Sequence, residues 1–283
     1  RNPYECAFLD YCTPPQSDYP VRNLPGGGKI VWQLLEEGVE DIRDIPPDRL
    51  TSASQRRVRQ VTISGNPELD PAAAAALVEL PWPRYYLDFE TVSFAVPVWK
   101  DTRPYQALPF QWSCHVEKER GELEHREWLA PGDGPPMRDC AVTLISALDD
   151  SGPVFTYTGY EETVLKSLAH MYPDLAAPLH AIIDRLFDLY PITRQHYYHP
   201  DMLGSWSIKA VLPTIAADMD YDSLGEVREG GAASDAFLEI LDPSTGRTRR
   251  AGLRQDLIRY CAYDTLALVR LAAFLQGADT TRD

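Results

Sequence analysis

Arg84-Tyr85-Tyr86-Leu87-Asp88-Phe89-Glu90 is a short, mostly apolar stretch that carries two carboxylates two residues apart. Its aromatic residues favour a strand. Residues two apart on a strand face the same side, so Asp88 and Glu90 project together while Leu87 and Phe89 pack on the other face. Like charges held that close are costly unless a cation neutralises them. Carboxylate oxygens are hard donors, which favours Mg²⁺ or Mn²⁺. An acidic side on a strand at a sheet surface is the plainer reading of the same residues.

Outward from this strand the pattern is α/β. Phe110–Glu117 and Leu123–Trp128 read as the next strands, with a turn at Glu119–Gly121. Arg138–Leu148 reads as a helix, Pro153–Thr158 as a buried strand, and Glu161–His170 and Pro178–Leu189 as helices. Residues 191–213 read as irregular until a helix starts at Ser207–Leu212. Ala232–Leu241 is a helix, Arg247–Arg250 a basic loop, and Leu253–Leu275 a long final helix. Hairpin strands, then helix, strand and helices, predict a mixed sheet flanked by helices. Residues 1–82 differ: a Gly26-Gly27-Gly28 break, a Pro46-Pro47 pair and two short helices, about 29–38 and 70–79. The second starts at Asp70-Pro71, an N-cap with Pro at the first helical position. The expected organisation is a small N-terminal helical and irregular arm over 1–82 and a main domain over 83–283.

The 283 residues carry 27 Lys and Arg against 42 Asp and Glu, a net charge of −15. That argues against a broad basic surface wrapping duplex DNA. It leaves room for a nuclease whose carboxylates are offset by metal ions. No apolar run reaches the roughly 18 residues of a membrane span, so no membrane partner is expected. The first residues hold no apolar signal segment and no Met, which predicts a piece of a longer protein. Cys6, Cys12, Cys114, Cys140 and Cys261 are odd in number and scattered, which points to a reducing, cytoplasmic compartment.

Two further elements carry acids. In Val154–Glu161 a buried strand and a Gly turn lead to Glu161 in the first turn of a helix; a carboxylate there also complements the helix dipole without any ligand. In Tyr260-Cys261-Ala262-Tyr263-Asp264, Tyr260 and Asp264 are four apart and share a helix face, and a buried Asp needs a partner. Asp188 is a secondary acid for the same cleft. Ser207 resembles a helix N-cap. Lys209 sits in the first turn, where the dipole disfavours a cation, so it faces a phosphate or the acids unless it is simply solvated. Gln111 and His199 complete the expected substrate contacts, and Trp112 reads as core. Six His without HxH or HxxxH pairing argue against a zinc site.

Two acids on the first strand, one after a later strand and Tyr-x-x-x-Asp on the last helix resemble the DEDD exonucleases in their tyrosine-bearing branch. These are proofreading-type members of the ribonuclease H-like superfamily. The resemblance implies a ribonuclease H-like sheet and four acids, Asp88, Glu90, Glu161 and Asp264, holding two divalent metal ions, with Tyr260 orienting the attacking water. The family has Asp after Asn-x-x-Phe in the second motif; here Tyr160-Glu161 takes that place. LDFET (87–91), YQALPFQWSCH (105–115), GSWSIKAVLP (204–213) and YCAYDTLALV (260–269) are similar to an uncharacterised bacterial family of ribonuclease H-like domains that often follow RecB-type nuclease modules. Residues 2–12, NPYECAFLDYC, resemble the tail of such a module, where cysteines can bind an iron–sulfur cluster. Only Cys6 and Cys12 stand there, too few for four ligands, so no cluster is expected. The implied activity is a metal-dependent 3′–5′ exonuclease on single-stranded DNA or RNA ends. A non-catalytic nucleic-acid-binding or scaffold domain and a small-nucleotide phosphodiesterase are the other readings.

Overall fold

The computed structural model describes residues 17–219 and 221–277; Cys6 and Cys12 lie outside them. In chain order the main elements are α1 (Gly28–Glu36), α2 (Ala53–Ser64), α3 (Ala72–Val78), β1 (Arg84–Val92), β2 (Leu108–Glu117), β3 (Leu123–Leu129), α4 (Met137–Ala147) and β4 (Val154–Thr156). There follow α5 (Tyr160–Met171), α6 (Ala176–Ile183), β5 (Leu186–Asp188), α7 (Leu189–His196), α8 (Ile208–Ile215), α9 (Gly230–Leu241) and α10 (Arg247–Leu275). The described chain divides into two compact units. One comprises residues up to Asp70 together with Thr193–Thr214; the other comprises Pro71–Ile192 and the chain from Ile215 onward.

The second unit is an α/β domain built on a five-stranded mixed sheet in the order β3-β2-β1-β4-β5. β1, β2 and β3 pair antiparallel, while β4 runs parallel to β1 and β5 parallel to β4. Hairpin strands on one side and crossover strands on the other give a mixed sheet compatible with a ribonuclease H-like fold. β2 is buried along almost its whole length, because helices cover both of its faces. Trp112 on one face donates its Nε1–H to Thr143 of α4 at 3.0 Å. Gln111 on the other donates to the Leu257 carbonyl of α10 at 3.0 Å. Phe110 stacks on Phe237 of α9 with ring centroids 4.0 Å apart. Burial of the Phe110 side chain contributes about 1.5–3 kcal/mol. β3 is an edge strand, and it alternates exposed and half-buried residues with Glu124 and Arg126 along it, charges that discourage further pairing.

The first unit holds α1, α2, α8 and an antiparallel two-residue pairing of Glu68–Leu69 with Tyr197–Tyr198. Its boundary falls at Asp70/Pro71 rather than at 82/83, and it recruits a segment from the middle of the chain. Backbone and side-chain bonds explain both. Asp70 N–H donates to the His196 carbonyl at 2.8 Å, and Trp206 Nε1–H donates to the Tyr197 carbonyl at 2.8 Å. Gly204, at φ +80°, brings its backbone so close to Asn23 that an added Cβ would lie 1.8 Å from the Asn23 oxygen; only glycine fits. Residues 71–82 belong instead with the sheet. Arg84, buried in β1, donates to the Leu77 and Leu80 carbonyls at 2.8 and 2.9 Å and so ties α3 to the strand.

Other elements differ from the sequence reading. The helix expected over Pro178–Leu189 ends at Ile183, and Leu186–Asp188 is the edge strand β5. Three residues are too few to show a period. Arg247–Arg250 is the first turn of α10, not a loop. Arg249 reaches back to Glu226 and Glu239 at 2.7 and 2.8 Å, which offsets the unfavourable dipole at that end. Among the described residues, Cys114, Cys140 and Cys261 are free and buried, and no helix is long and apolar enough to cross a membrane.

Candidate metal centre

Asp88 and Glu90 lie on the face of β1 that α10 covers. Their cross-strand partners are Ser113 and Gln111, and both of those side chains bond to α10: Ser113 to Thr265 Oγ1 at 2.8 Å and Gln111 to the Leu257 carbonyl. Cys261 of α10 sits beneath the pair, with Sγ 3.8 Å from Asp88 Oδ2. Ligand atoms of Asp88, Glu90 and Cys261 all lie within 4.8 Å of one another. Glu90 is 6 % exposed and Glu161 only 3 %.

Glu161 opens α5 directly after the turn that follows β4, which aims its carboxyl at Asp88, and the two side chains hydrogen-bond. Its other oxygen, Oε2, is buried without a hydrogen-bond partner. Asp264 comes from α10, and Tyr221 donates its hydroxyl to Asp264 Oδ1 at 2.5 Å. Burial pushes the Asp88 carboxyl well above its ordinary range, and repulsion from Asp264, Glu90 and Glu161 adds to the rise. Burial likewise raises Glu161 to about 8, with Asp188 adding repulsion and the bond to Asp88 opposing it. Asp264, Glu90 and Glu161 therefore all lie within electrostatic reach of Asp88. Without a cation the cluster must hold protons. Hard oxygen donors, mutual repulsion and an unpartnered buried oxygen fit a divalent ion.

Tyr260 is 3 % exposed. Burial raises its phenol far above the ordinary range, and Asp264, Glu90 and Asp88 raise it further. The hydroxyl is therefore a proton donor and not a base. Tyr160 is a neighbour that the spacing did not single out: its hydroxyl bonds Thr91 Oγ1 at 2.5 Å, and the charges of Glu90, Asp88 and Glu161 act on it. Tyr221 and Cys261 were also missed. Tyr221 stands in a short 3₁₀ turn, Tyr221–Leu224, where no period marks a facing side, and Cys261 was counted only among the scattered cysteines.

Most of the other expected residues have structural partners, and Asp188 also acts on Glu161. Gln111 is fully buried, so its amide clamps α10 and does not meet substrate; its Oε1 has no hydrogen-bond partner. Asp188 ends β5, where its Oδ1 accepts from Thr158 and Tyr190 N–H, both at 2.8 Å. Ser207, Lys209 and His199 belong to the first unit. Ser207 Oγ accepts from Ala210 N–H at 3.3 Å as a cap of α8. His199 Nδ1 accepts from Asp201 N–H at 3.1 Å and caps the Pro200–Met202 turn. Lys209 is exposed in the first turn of α8.

A family model described as a domain of unknown function, DUF2779, matches residues 85–207. The match includes Asp88, Glu90 and Glu161 and stops short of Tyr260 and Asp264. Neither the curated proteins nor the solved structures gave a match.

Proposed function

We propose that the chain is a metal-dependent phosphodiester hydrolase, a 3′–5′ exonuclease on single-stranded DNA or RNA ends. One observation carries the reading: acids from β1, α5 and α10 gather around Asp88. Asp88, Glu90, Glu161 and Asp264 would hold two Mg²⁺ or Mn²⁺ ions. Bound there, such ions neutralise charge on the reacting phosphate and acidify water. Tyr260 keeps its proton at neutral pH and orients the nucleophilic water by hydrogen bonding. Tyr and Trp rings suit stacking of unpaired bases. The 3′–5′ polarity, and an upstream RecB-type module in a longer protein, rest on the motif resemblance. Free, buried cysteines support a cytoplasmic setting.

The test is digestion of 5′-labelled single- and double-stranded DNA and RNA with Mg²⁺ or Mn²⁺, beside Asp88→Ala. A ladder shortening from the 3′ end is expected, abolished by chelation and by the substitution. Intact strands throughout, with cleavage of a small nucleotide diester, would move the activity to a small-molecule phosphodiesterase. Metal binding without any cleavage would favour a binding domain.

A further inference from the structure

We propose that Tyr221 is a positioning residue of the acid cluster: its hydroxyl holds the Asp264 carboxylate in the orientation that receives a divalent ion. The inference rests on the metal-dependent reading above and adds a residue from outside the Tyr-x-x-x-Asp helix.

The contact is short and specific. Tyr221 donates to Asp264 Oδ1 at 2.5 Å, in the range of a charge-assisted hydroxyl–carboxylate bond. With an ordinary phenol pKa near 10, the hydroxyl is a donor at neutral pH. The ring is held as well as the oxygen. It meets Tyr263 edge-on at 5.1 Å between centroids and lies 6.3 Å from the Tyr260 ring. Leu224 at the end of the same turn and Val227 just beyond it are buried in the sheet unit's core, so the segment that presents the phenol is anchored.

The device has a physical reason. The terminal torsion of an Asp side chain is broad and only weakly selected by its own backbone. Asp264 and Asp88 also repel each other. A phenol on Oδ1 selects one orientation and draws negative charge toward itself. Tyr260 leaves the same helix as Asp264, one turn away. A group from a separate segment fixes the carboxylate from another direction. Hydrogen-bond partners of metal-ligating carboxylates commonly set affinity in this way, and their loss costs about 10- to 100-fold.

The test is calorimetric titration of the wild type, Tyr221→Phe and Tyr263→Phe with Mn²⁺, beside circular dichroism and thermal melts of each metal-free protein. Tyr221→Phe should keep the fold and weaken Mn²⁺ binding by about 10- to 100-fold. Tyr263→Phe removes a hydroxyl from the ring packed against Tyr221 and should change the affinity by less than about 3-fold. A folded Tyr221→Phe protein that binds Mn²⁺ like the wild type overturns the proposal alone. So does equal weakening in both variants, which would mean general loosening of the ring cluster. A wild type that binds no Mn²⁺ overturns the metal reading itself, and this proposal with it.

Discussion

Asp88 and Glu161 are bonded to each other, and two carboxylates can share such a bond only with a proton between them. Glu161 is raised from 4.5 to about 8. Between those values the unfolded chain has released this proton while the folded chain keeps it, so the group's contribution to stability falls as pH rises. The contribution is fully present below the unfolded value. A divalent ion takes the proton's place. The metal-free protein should therefore lose melting temperature from about pH 5 to about pH 8, and Glu161→Gln should flatten that slope. Mn²⁺ affinity should rise over the same interval. Parallel slopes for wild type and Glu161→Gln would remove Glu161 from the shared-proton pair. Tyr260 calls for a different expectation. Tyr260→Phe keeps the ring packing and removes only a donor, so turnover should fall roughly 10- to 1000-fold with Mn²⁺ affinity near wild type. Asp264→Asn should weaken both. A fully active Tyr260→Phe protein would sink the water-orienting role. The acids and this tyrosine were legible because strand spacing of two and helix spacing of four show in sequence. Gln111 was not, because a polar residue on a strand does not reveal whether a helix will cover it. Tyr221 was not, because a short turn has no face to read.

At the scale of elements, α10 is held to β2 by polar contacts inside an otherwise apolar layer. Thr265 Oγ1 bonds Ser113 Oγ and His115 Nδ1, each at 2.8 Å, and Ser113 also meets His125 Nε2 at 2.8 Å. Burial, with the neighbouring His125, lowers His115 to about 4, so it sits neutral in this network at pH 7. Thr265 follows Asp264 directly, and whatever loosens one moves the other. Thr265→Val keeps the shape and strands His115 Nδ1, while Ser113 keeps His125. It should cost about 1–3 kcal/mol, seen as a lower melting temperature, and should reduce turnover beyond what that loss of folded protein explains. Unchanged stability would mean that the network is idle. Strands β1 to β3 and helices α4, α5, α9 and α10 were legible in outline because their periods run long enough to count, and β4 was legible as a short buried run between turns; α7 was not, since Leu189–His196 is helical where the sequence read as irregular. The edge strand β5 has three residues and no period. The helix α2 went unread: its Arg56, Arg57 and Arg59 interrupt the apolar positions, and only Gln55, Val58, Val61 and Thr62 are buried. The boundary at Asp70 also escaped, since it depends on pairing between Glu68–Leu69 and residues more than 120 positions later.

Across the whole molecule, 42 acids against 27 Lys and Arg create a surface that attracts any divalent cation. A melting shift with Mn²⁺ is therefore no proof of a site unless it saturates and depends on named residues. The proposed ligands all lie in the sheet unit, one of two compact units of the chain. An ion that binds only the folded sheet unit stabilises that unit by mass action, about 2.7 kcal/mol at a concentration one hundred times the dissociation constant. For a unit of this size the melting temperature should rise roughly 2–4 °C per kcal/mol. Diffuse attraction to the acidic surface would instead grow without saturation and fade in salt. Melts of the wild type and Asp88→Ala across Mn²⁺ concentrations at about 0.15 M ionic strength separate the two. The wild type should show a saturating rise confined to one transition where two are resolved. Asp88→Ala should show no saturating rise. Equal shifts in both proteins would leave the acid cluster without a metal.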